Sequence, residues 1–551
     1  MALGAAHYLQ LAVVHGTLTQ TLLLLLLPLL LLLLVARLAS TTTTAATSGR
    51  RRRNKLLRRR HRDEPEPSQL PPSPPSKLPV IGHLHLVGSH PHVSLRDLAA
   101  EHGSGGLLLL RLGAVPTLAV SSPAAAEAVL RTHDGVLASR PWSPVADLLF
   151  YGLTDVAFAP YGEQWRQARK LVTTHMLSAR KVHSFRHGRQ EEVSLVVAKI
   201  RDAAASASGT TVDMSELLGA YTNDVVCRAV LGESHREGGR NRVFHELSEM
   251  NVSLLGGFNL EDYFPALARL ELLTKLICAK AKRVSNRWDQ LFDKLINEHA
   301  GGKPSSRDQE DDSAADFIHV LLGVQKEYGL TRDTVKAILM DMFEAGIETS
   351  YQVLDYGMAE LMINKHVMTK LQTEVRRRCT PAGKKLDMVT EEDLSSMPYL
   401  KATVKEILRL HPPVPLLVPH LSTADCEING YLIPSGTRIM VNAWALGRDP
   451  TSWDRPEEFV PERFLEGGSA TTIDMKGKDF QFLPFGSGRR ICPGINFGIS
   501  TVEIMLANLM YHFDWEFPTE MKNSGGGIDM TELFGLTLRR KENLLLVPKT
   551  S

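Results

Sequence analysis

The sequence predicts a mainly α-helical body with small β-sheets, preceded by one N-terminal transmembrane helix. Three observations carry this expectation. Apolar residues recur at helical spacing along Val182–Ala205, Thr331–Asn364 and Tyr399–Leu410, whereas the strand-like runs Leu107–Leu112, Thr117–Val120 and Ile439–Asn442 are short. No charged residue lies between Leu11 and Ala36. The formal charge of +2 over 551 residues is unevenly divided: residues 1–62 hold ten Lys/Arg and no Asp or Glu, which leaves a net −8 from Asp63 onward.

Leu22–Val35 is twelve leucines interrupted only by Pro28 and closed by Val35. As a helix, Leu11–Ala36 would extend about 39 Å at 1.5 Å per residue, enough for a tilted crossing of a hydrocarbon layer roughly 30 Å thick. Ala36 and Ala39 could serve a signal-peptide cleavage site, but no Lys or Arg precedes the apolar run, while Arg50–Arg53, Lys55, Arg58–Arg60 and Arg62 follow it. The positive-inside bias favours a retained anchor in residues 1–40 with everything after it in the cytosol. Residues 41–79 then read as a basic and Pro-rich linker, because Pro65, Pro67, Pro71, Pro72, Pro74, Pro75 and Pro79 disfavour helix and favour a stiff spacer. Residues 80–551 form one body, in which 301–315 read as a polar surface loop.

The composition, 43% hydrophobic and 23% charged, excludes disordered, collagenous and disulfide-framework classes. A basic head on an acidic body argues against a nucleic-acid-binding surface spread over the chain. Cys227, Cys278, Cys379, Cys426 and Cys492 are odd in number and widely spaced, so neither a disulfide scaffold nor a zinc ribbon is expected.

Cys492 stands apart from the others. It lies in Pro484-Phe485-Gly486-Ser487-Gly488-Arg489-Arg490-Ile491-Cys492-Pro493-Gly494, where glycines let the backbone approach a flat ligand and Arg490 brings a positive charge near the sulfur. A thiolate is populated at neutral pH only beside such charges or on a metal. The ordinary fate of a free cysteine, a small buried hydrophobe, is the preferred reading of the other four. Gly486 and Gly488 nearly begin a dinucleotide-binding Gly-x-Gly-x-x-Gly, but position 491 is Ile and no strand-turn-helix follows.

The loop resembles that of the cytochrome P450 superfamily, the haem-thiolate monooxygenases, whose pattern Phe-x-x-Gly-x-Arg-x-Cys-x-Gly is met at Phe485, Gly488, Arg490, Cys492 and Gly494. Five fixed positions arise by chance in a chain of this length on the order of once in ten thousand times. The resemblance implies the P450 fold, a single large haem domain, with haem b held by the Cys492 thiolate. It also implies a cofactor-binding role for Phe485, Gly488 and Arg490, and for Trp165 and Arg169, which match the family's Trp-x-x-x-Arg helix. Spacing of four puts indole and guanidinium on one helix face, within reach of an anionic propionate. The family's basic residue after the Pro-Pro run falls on His420, whose charge would depend on pH.

Ala345-Gly346-Ile347-Glu348-Thr349-Ser350 matches the oxygen-binding signature, which implies Thr349 and Glu348 as the catalytic pair that relays protons. The glycine and hydroxyl there are expected to loosen the long helix. Glu406, Arg409 and Arg463 match the family's buried structural Glu-Arg-Arg cluster, a register device rather than a reactive group. The chain holds no flavin or nicotinamide motif, so electrons from NADPH would come through a cytochrome P450 reductase, with O2 as co-substrate. Arg489 and the basic Trp165–Lys170 segment are the candidate docking patch for that acidic partner.

The spacer followed by Leu78-Pro79-Val80-Ile81-Gly82 looks like that of A-type microsomal P450s of plants, anchored by a single pass in the endoplasmic reticulum membrane. Met1–Ala6, Tyr8–Ala12 and Arg186–Glu192 look like the grass members that oxidise indole and indolinone on the benzoxazinoid route, which implies a small apolar or indolic substrate. Two alternatives stand beside this: a haem-thiolate isomerase or dehydratase needing no external electrons, against which Glu348 and Thr349 together speak, and a non-catalytic haem-binding membrane protein, for which no regulatory domain is present.

Overall fold

The computed structural model describes residues 69–550 apart from 206–209, 257–258, 268–277, 302–314, 380–385 and 524–526. The expected anchor, most of the linker and nearly all of the 301–315 loop lie outside the described residues. Among those described, no helix is long and apolar enough to cross a membrane.

In chain order, the elements that place the site are β1 (Leu107–Leu112), β2 (Val115–Val120), α1 (Glu163–Leu171), α2 (Arg186–Ala205), α3 (Met214–Leu231), α4 (Arg240–Leu255), α5 (Ala279–Gly301), α6 (Phe317–Val324), α7 (Arg332–Ile363), α8 (Lys365–Arg378), α9 (Pro398–Leu410), β3 (His420–Leu421), β4 (Arg438–Val441) and α10 (Ile495–His512). A four-stranded sheet runs in the order β1-β2-β4-β3. β2 is antiparallel to β1 and parallel to β4, and His420 pairs with Ile439 at the β3 edge.

β2 begins two residues before its expected start because Pro116 is tolerated: it faces Arg111 on β1, while the pairing with β4 starts only at Thr117. The stretch expected as one helix from Val182 to Ala205 is broken at Phe185. There the Ser184 hydroxyl donates to the Lys181 carbonyl at 2.7 Å and the Phe185 N–H reaches back only three residues, to Val182. Phe185 turns its ring edge onto Phe317 of α6, 5.3 Å away.

α7 is the central rod. Thr331 caps it, accepting the Thr334 N–H at 3.1 Å. It is enclosed on nearly every side, with Val335, Ile338, Leu339, Phe343, Leu354 and Leu361 all at most 1% exposed. It runs unbroken through Ala345–Ser350, contrary to the expected interruption. The Thr349 hydroxyl donates to the Ala345 carbonyl at 2.6 Å, which ties the turn internally. Gly346 answers a packing need: a Cβ there would stand 2.8 Å from Val226 Cγ2 of α3.

The Pro-rich stretch, expected as a free spacer up to residue 79, is joined to the body from Gln69 onward. The Gln69 carbonyl accepts the Leu432 N–H at 2.9 Å, and the Pro72 carbonyl accepts that of Leu109 at 2.8 Å.

Candidate functional site

A cavity of about 270 Å³ lies between α7 and the Cys492 loop. The loop behind its proximal wall turns at Gly488, whose φ of +67° and position, where a Cβ would sit 2.0 Å from the Leu130 carbonyl oxygen, exclude any side chain. The loop then turns so that the Cys492 N–H donates to the Phe485 carbonyl at 2.9 Å, and Cys492 precedes α10 by three residues. The Gly494 N–H points at Cys492 Sγ from 3.3 Å. Burial pushes the Cys492 thiol up; the Gly494 N–H and the Arg169 guanidinium pull the other way.

Arg490 is buried and every guanidinium nitrogen is spent on a carbonyl: Ala138 at 2.8 Å, Val156 at 3.2 Å and Ala159 at 2.6 Å. It lies 4.2 Å over the Trp165 ring, and the Trp165 indole N–H itself donates to the Val156 carbonyl at 3.0 Å. Arg169, on the same face of α1, donates to the Ile491 carbonyl next to the cysteine. His420 donates through Nδ1 to the Leu137 carbonyl at 2.8 Å. Burial, then the Arg140 charge, holds its pKa well below the usual histidine range, which favours the neutral imidazole. Trp165 and Arg490 thus meet at one carbonyl, with Arg169 beside the sulfur; Phe485 lines the cavity with Cys492 and His420.

The distal wall is α7. Thr349 lines the cavity, but Glu348, its neighbour in sequence, does not. Glu348 turns toward Gln352, whose amide donates to it at 2.8 Å, and burial raises its pKa. The two expected catalytic residues therefore occupy different faces of one helix.

Sequence reasoning missed a second acid on the distal side. Asp341 accepts the Val156 N–H at 2.6 Å, and Asp155 accepts the Phe158 N–H at 2.6 Å. Both carboxyls are buried, and the second oxygen of each, Oδ1, has no hydrogen-bond partner. Burial raises both pKa values, and the charge of Asp155 raises that of Asp341 further. Asp341 stands out as a carboxylate within an apolar helical stripe, the same signal that marked Glu348. Asp155 carried no such signal. Arg140, also missed, joins the Ala157 carbonyl at 2.9 Å to the Val418 and Pro419 carbonyls at 2.5 and 3.0 Å.

Behind the proximal wall, Arg409 grips Glu406 bidentately at 2.8 Å for both bonds, and Arg463 approaches the same carboxylate at 3.0 Å. The Val460 N–H adds a fourth donor at 2.8 Å. Surplus guanidinium hydrogens go to the carbonyls of Gly447, Pro456, Glu458 and Asp454. Each buried charge is paired, which is the condition for such a cluster to persist.

The cavity fits a flat, anionic prosthetic group: a cysteine sulfur facing it, glycines leaving space beside that sulfur, cations at one edge and apolar walls elsewhere. Residues 71–546 match the cytochrome P450 family. The chain belongs to that family. Indolin-2-one monooxygenase of Zea mays is 62% identical to this P450 over 553 residues, which cover all of this chain and 99% of the relative. 3-Hydroxyindolin-2-one monooxygenase of Zea mays is 64% identical, covering 87% of this chain and 89% of the relative. Indole-2-monooxygenase of the same plant is 58% identical, covering 87% of each. A solved structure of a zebra fish cytochrome P450 with progesterone superposes with a TM-score of 0.68 at 26% identity, over 83% of this chain and 99% of that one. This P450 is an oxidoreductase, a monooxygenase that works with haem on a cysteine thiolate.

Proposed function

We propose that this P450 inserts one oxygen atom of O2 into a small indolic metabolite of the benzoxazinoid type, with electrons passed from NADPH by a membrane-bound cytochrome P450 reductase. The identity of 58–64% to three plant enzymes named for indole and its 2-oxo derivatives carries this reading. A largely apolar cavity reaching Cys492 supports it.

Cys492 is the residue to hold haem iron, with Arg169, Trp165 and Arg490 steadying the anionic edge of the ring and His420 offering a neutral imidazole beside it. Haem bound there supplies the activation of O2 and the oxidation itself. Thr349 presents a hydroxyl at the cavity wall that can hand on a proton, and Glu348, raised by burial, is the proton store one residue behind it. Asp341 and Asp155 fix the 155–158 segment over the cavity through two backbone amides. Residues 1–40 serve as a single-pass anchor in the endoplasmic reticulum membrane, 41–68 as linker and the rest as the cytosolic domain, which the chain joins from Gln69 onward.

The test is turnover of indole, indolin-2-one and 3-hydroxyindolin-2-one by the full chain with reductase and NADPH under isotopically labelled O2. A product bearing one labelled oxygen is expected from at least one of them. No labelled product from any of the three, by protein with an intact haem-thiolate spectrum, contradicts the substrate class.

A further inference from the structure

His299, Asp316 and His319 form a cluster that includes none of the residues lining the Cys492 cavity, although Phe317, next to Asp316, does line it. His299 lies in the last turn of α5, Asp316 caps α6 and His319 is in its first turn. The three offer one ligand atom each, all within 4.8 Å of one another. Asp316 Oδ2 is 2.8 Å from His319 Nδ1 and 3.5 Å from His299 Nε2. Ligand atoms around a tetrahedral zinc ion at about 2.0–2.1 Å are separated by about 3.3 Å, so the two observed spacings straddle that value.

The supporting contacts are those of a built site. His299 Nδ1 is 2.7 Å from the Leu295 carbonyl and donates to it, which leaves Nε2 with its lone pair toward the carboxylate. Two lone pairs facing each other are stable only with a cation between them, either a proton or a metal. The other carboxylate oxygen, Asp316 Oδ1, accepts the His319 N–H at 2.9 Å, so the carboxylate is oriented as well. The His299 and Asp316 side chains are 8% and 9% exposed, whereas His319 is 34% exposed and leaves room for a water as fourth ligand. The Lys181 ammonium, 2.6 Å from the carbonyl of Ala315 beside Asp316, opposes a cation here.

We propose that His299 Nε2, Asp316 Oδ2 and His319 Nδ1 bind a divalent transition-metal ion of the zinc type, which clamps the end of α5 to the start of α6. Two imidazoles and a carboxylate suit zinc rather than calcium or magnesium, which prefer all-oxygen shells. None of the three ligands lines the Cys492 cavity.

The test is equilibrium dialysis of the untagged, haem-loaded full chain, first against EDTA and then against zinc sulfate, with zinc counted per haem by mass spectrometry. The wild type is expected to hold one more equivalent than His299→Ala and His319→Ala, each with at least 10-fold weaker binding. His102→Ala, at a histidine outside the cluster, is expected to match the wild type. The reduced carbon-monoxide spectrum verifies that each variant is folded. Zinc should also raise the thermal midpoint of the wild type and of His102→Ala but not of the two cluster variants. Equal zinc in the wild type and in both cluster variants overturns the proposal, as does a thermal shift that survives their loss.

Discussion

The two walls of the Cys492 cavity are built from opposite kinds of polar group. On the proximal side the groups are donors, and they are committed: Arg490 is fully spent on backbone carbonyls, Trp165 donates to one of the same carbonyls, and Arg169 donates beside the cysteine. On the distal side the groups are acids, and they are not neutralised by cations of their own wall. Asp341 lines the cavity and Asp155, Glu344 and Glu348 stand behind it, and all four have pKa values raised chiefly by burial. The contrast divides the work. A wall of satisfied cations can hold a negative sulfur and an anionic ring edge without exchanging protons. Buried carboxyls on and behind the other wall can store and release protons.

Breaking the proximal frame should have the largest effect. Glu406→Ala leaves two buried guanidinium groups without their anion, a loss of about 3–5 kcal/mol. The expected outcome is a collapse in the fraction of expressed chain that carries haem, measured as haem per protein together with denaturant unfolding. Next comes the distal hydroxyl. Thr349→Ala should keep the haem spectrum but reduce product by about 10²-fold, a usual contribution of a positioned proton-transfer group. NADPH consumption should continue and become uncoupled from product. Glu348→Gln should reduce product less, since Glu348 stands behind the wall.

The Asp155–Asp341 pair sharpens the comparison through pH. Its carboxyls bind protons more readily folded than unfolded. Stability therefore falls as pH rises from the ordinary aspartate value near 3.8 through the raised one. Asp341→Asn should remove part of this fall, by up to about 1.4 kcal/mol per pH unit, in unfolding measured from pH 4 to 7. A parallel pair of curves would mean that folding does not raise the Asp341 pKa.

The smallest effect belongs to the outer face of the proximal wall. Arg489 is about half exposed and pairs with Asp134 at 3.2 Å, so only part of its charge is available to a reductase. Arg166 of the same patch pairs with Glu163 on α1. Arg489→Glu should slow reductase-to-haem electron transfer a few-fold at low ionic strength, with the difference vanishing as salt is added, and leave substrate binding unchanged.

Much of the site was legible because its motifs are local. The Cys492 loop occupies eleven consecutive residues, and Trp165 and Arg169 share a turn of one helix. The Glu406–Arg409 pair was legible for the same reason, and Arg463 only through family likeness. What stayed hidden depends on distant chain segments. Asp341 meets the Val156 amide across 185 residues, and nothing near Asp155 marks it. Whether Glu348 shared the cavity with Thr349 depended on how α7 is rotated against α3 and α4, which periodicity does not give when the helix is buried on nearly all sides. The break at Phe185 followed from a serine hydroxyl competing for the helix backbone, and the helix survived at Ala345–Ser350 because Thr349 bonds within its own turn.

The central claim is that the Cys492 sulfur is the ligand around which both walls are arranged. The absorption spectrum of the reduced, carbon-monoxide-bound full chain tests it most directly. The wild type should show the red-shifted band of a thiolate-ligated haem, and Cys492→His should lose that band while the other four cysteines remain. A spectrum without that band in the wild type, or one unchanged in Cys492→His, would contradict the account.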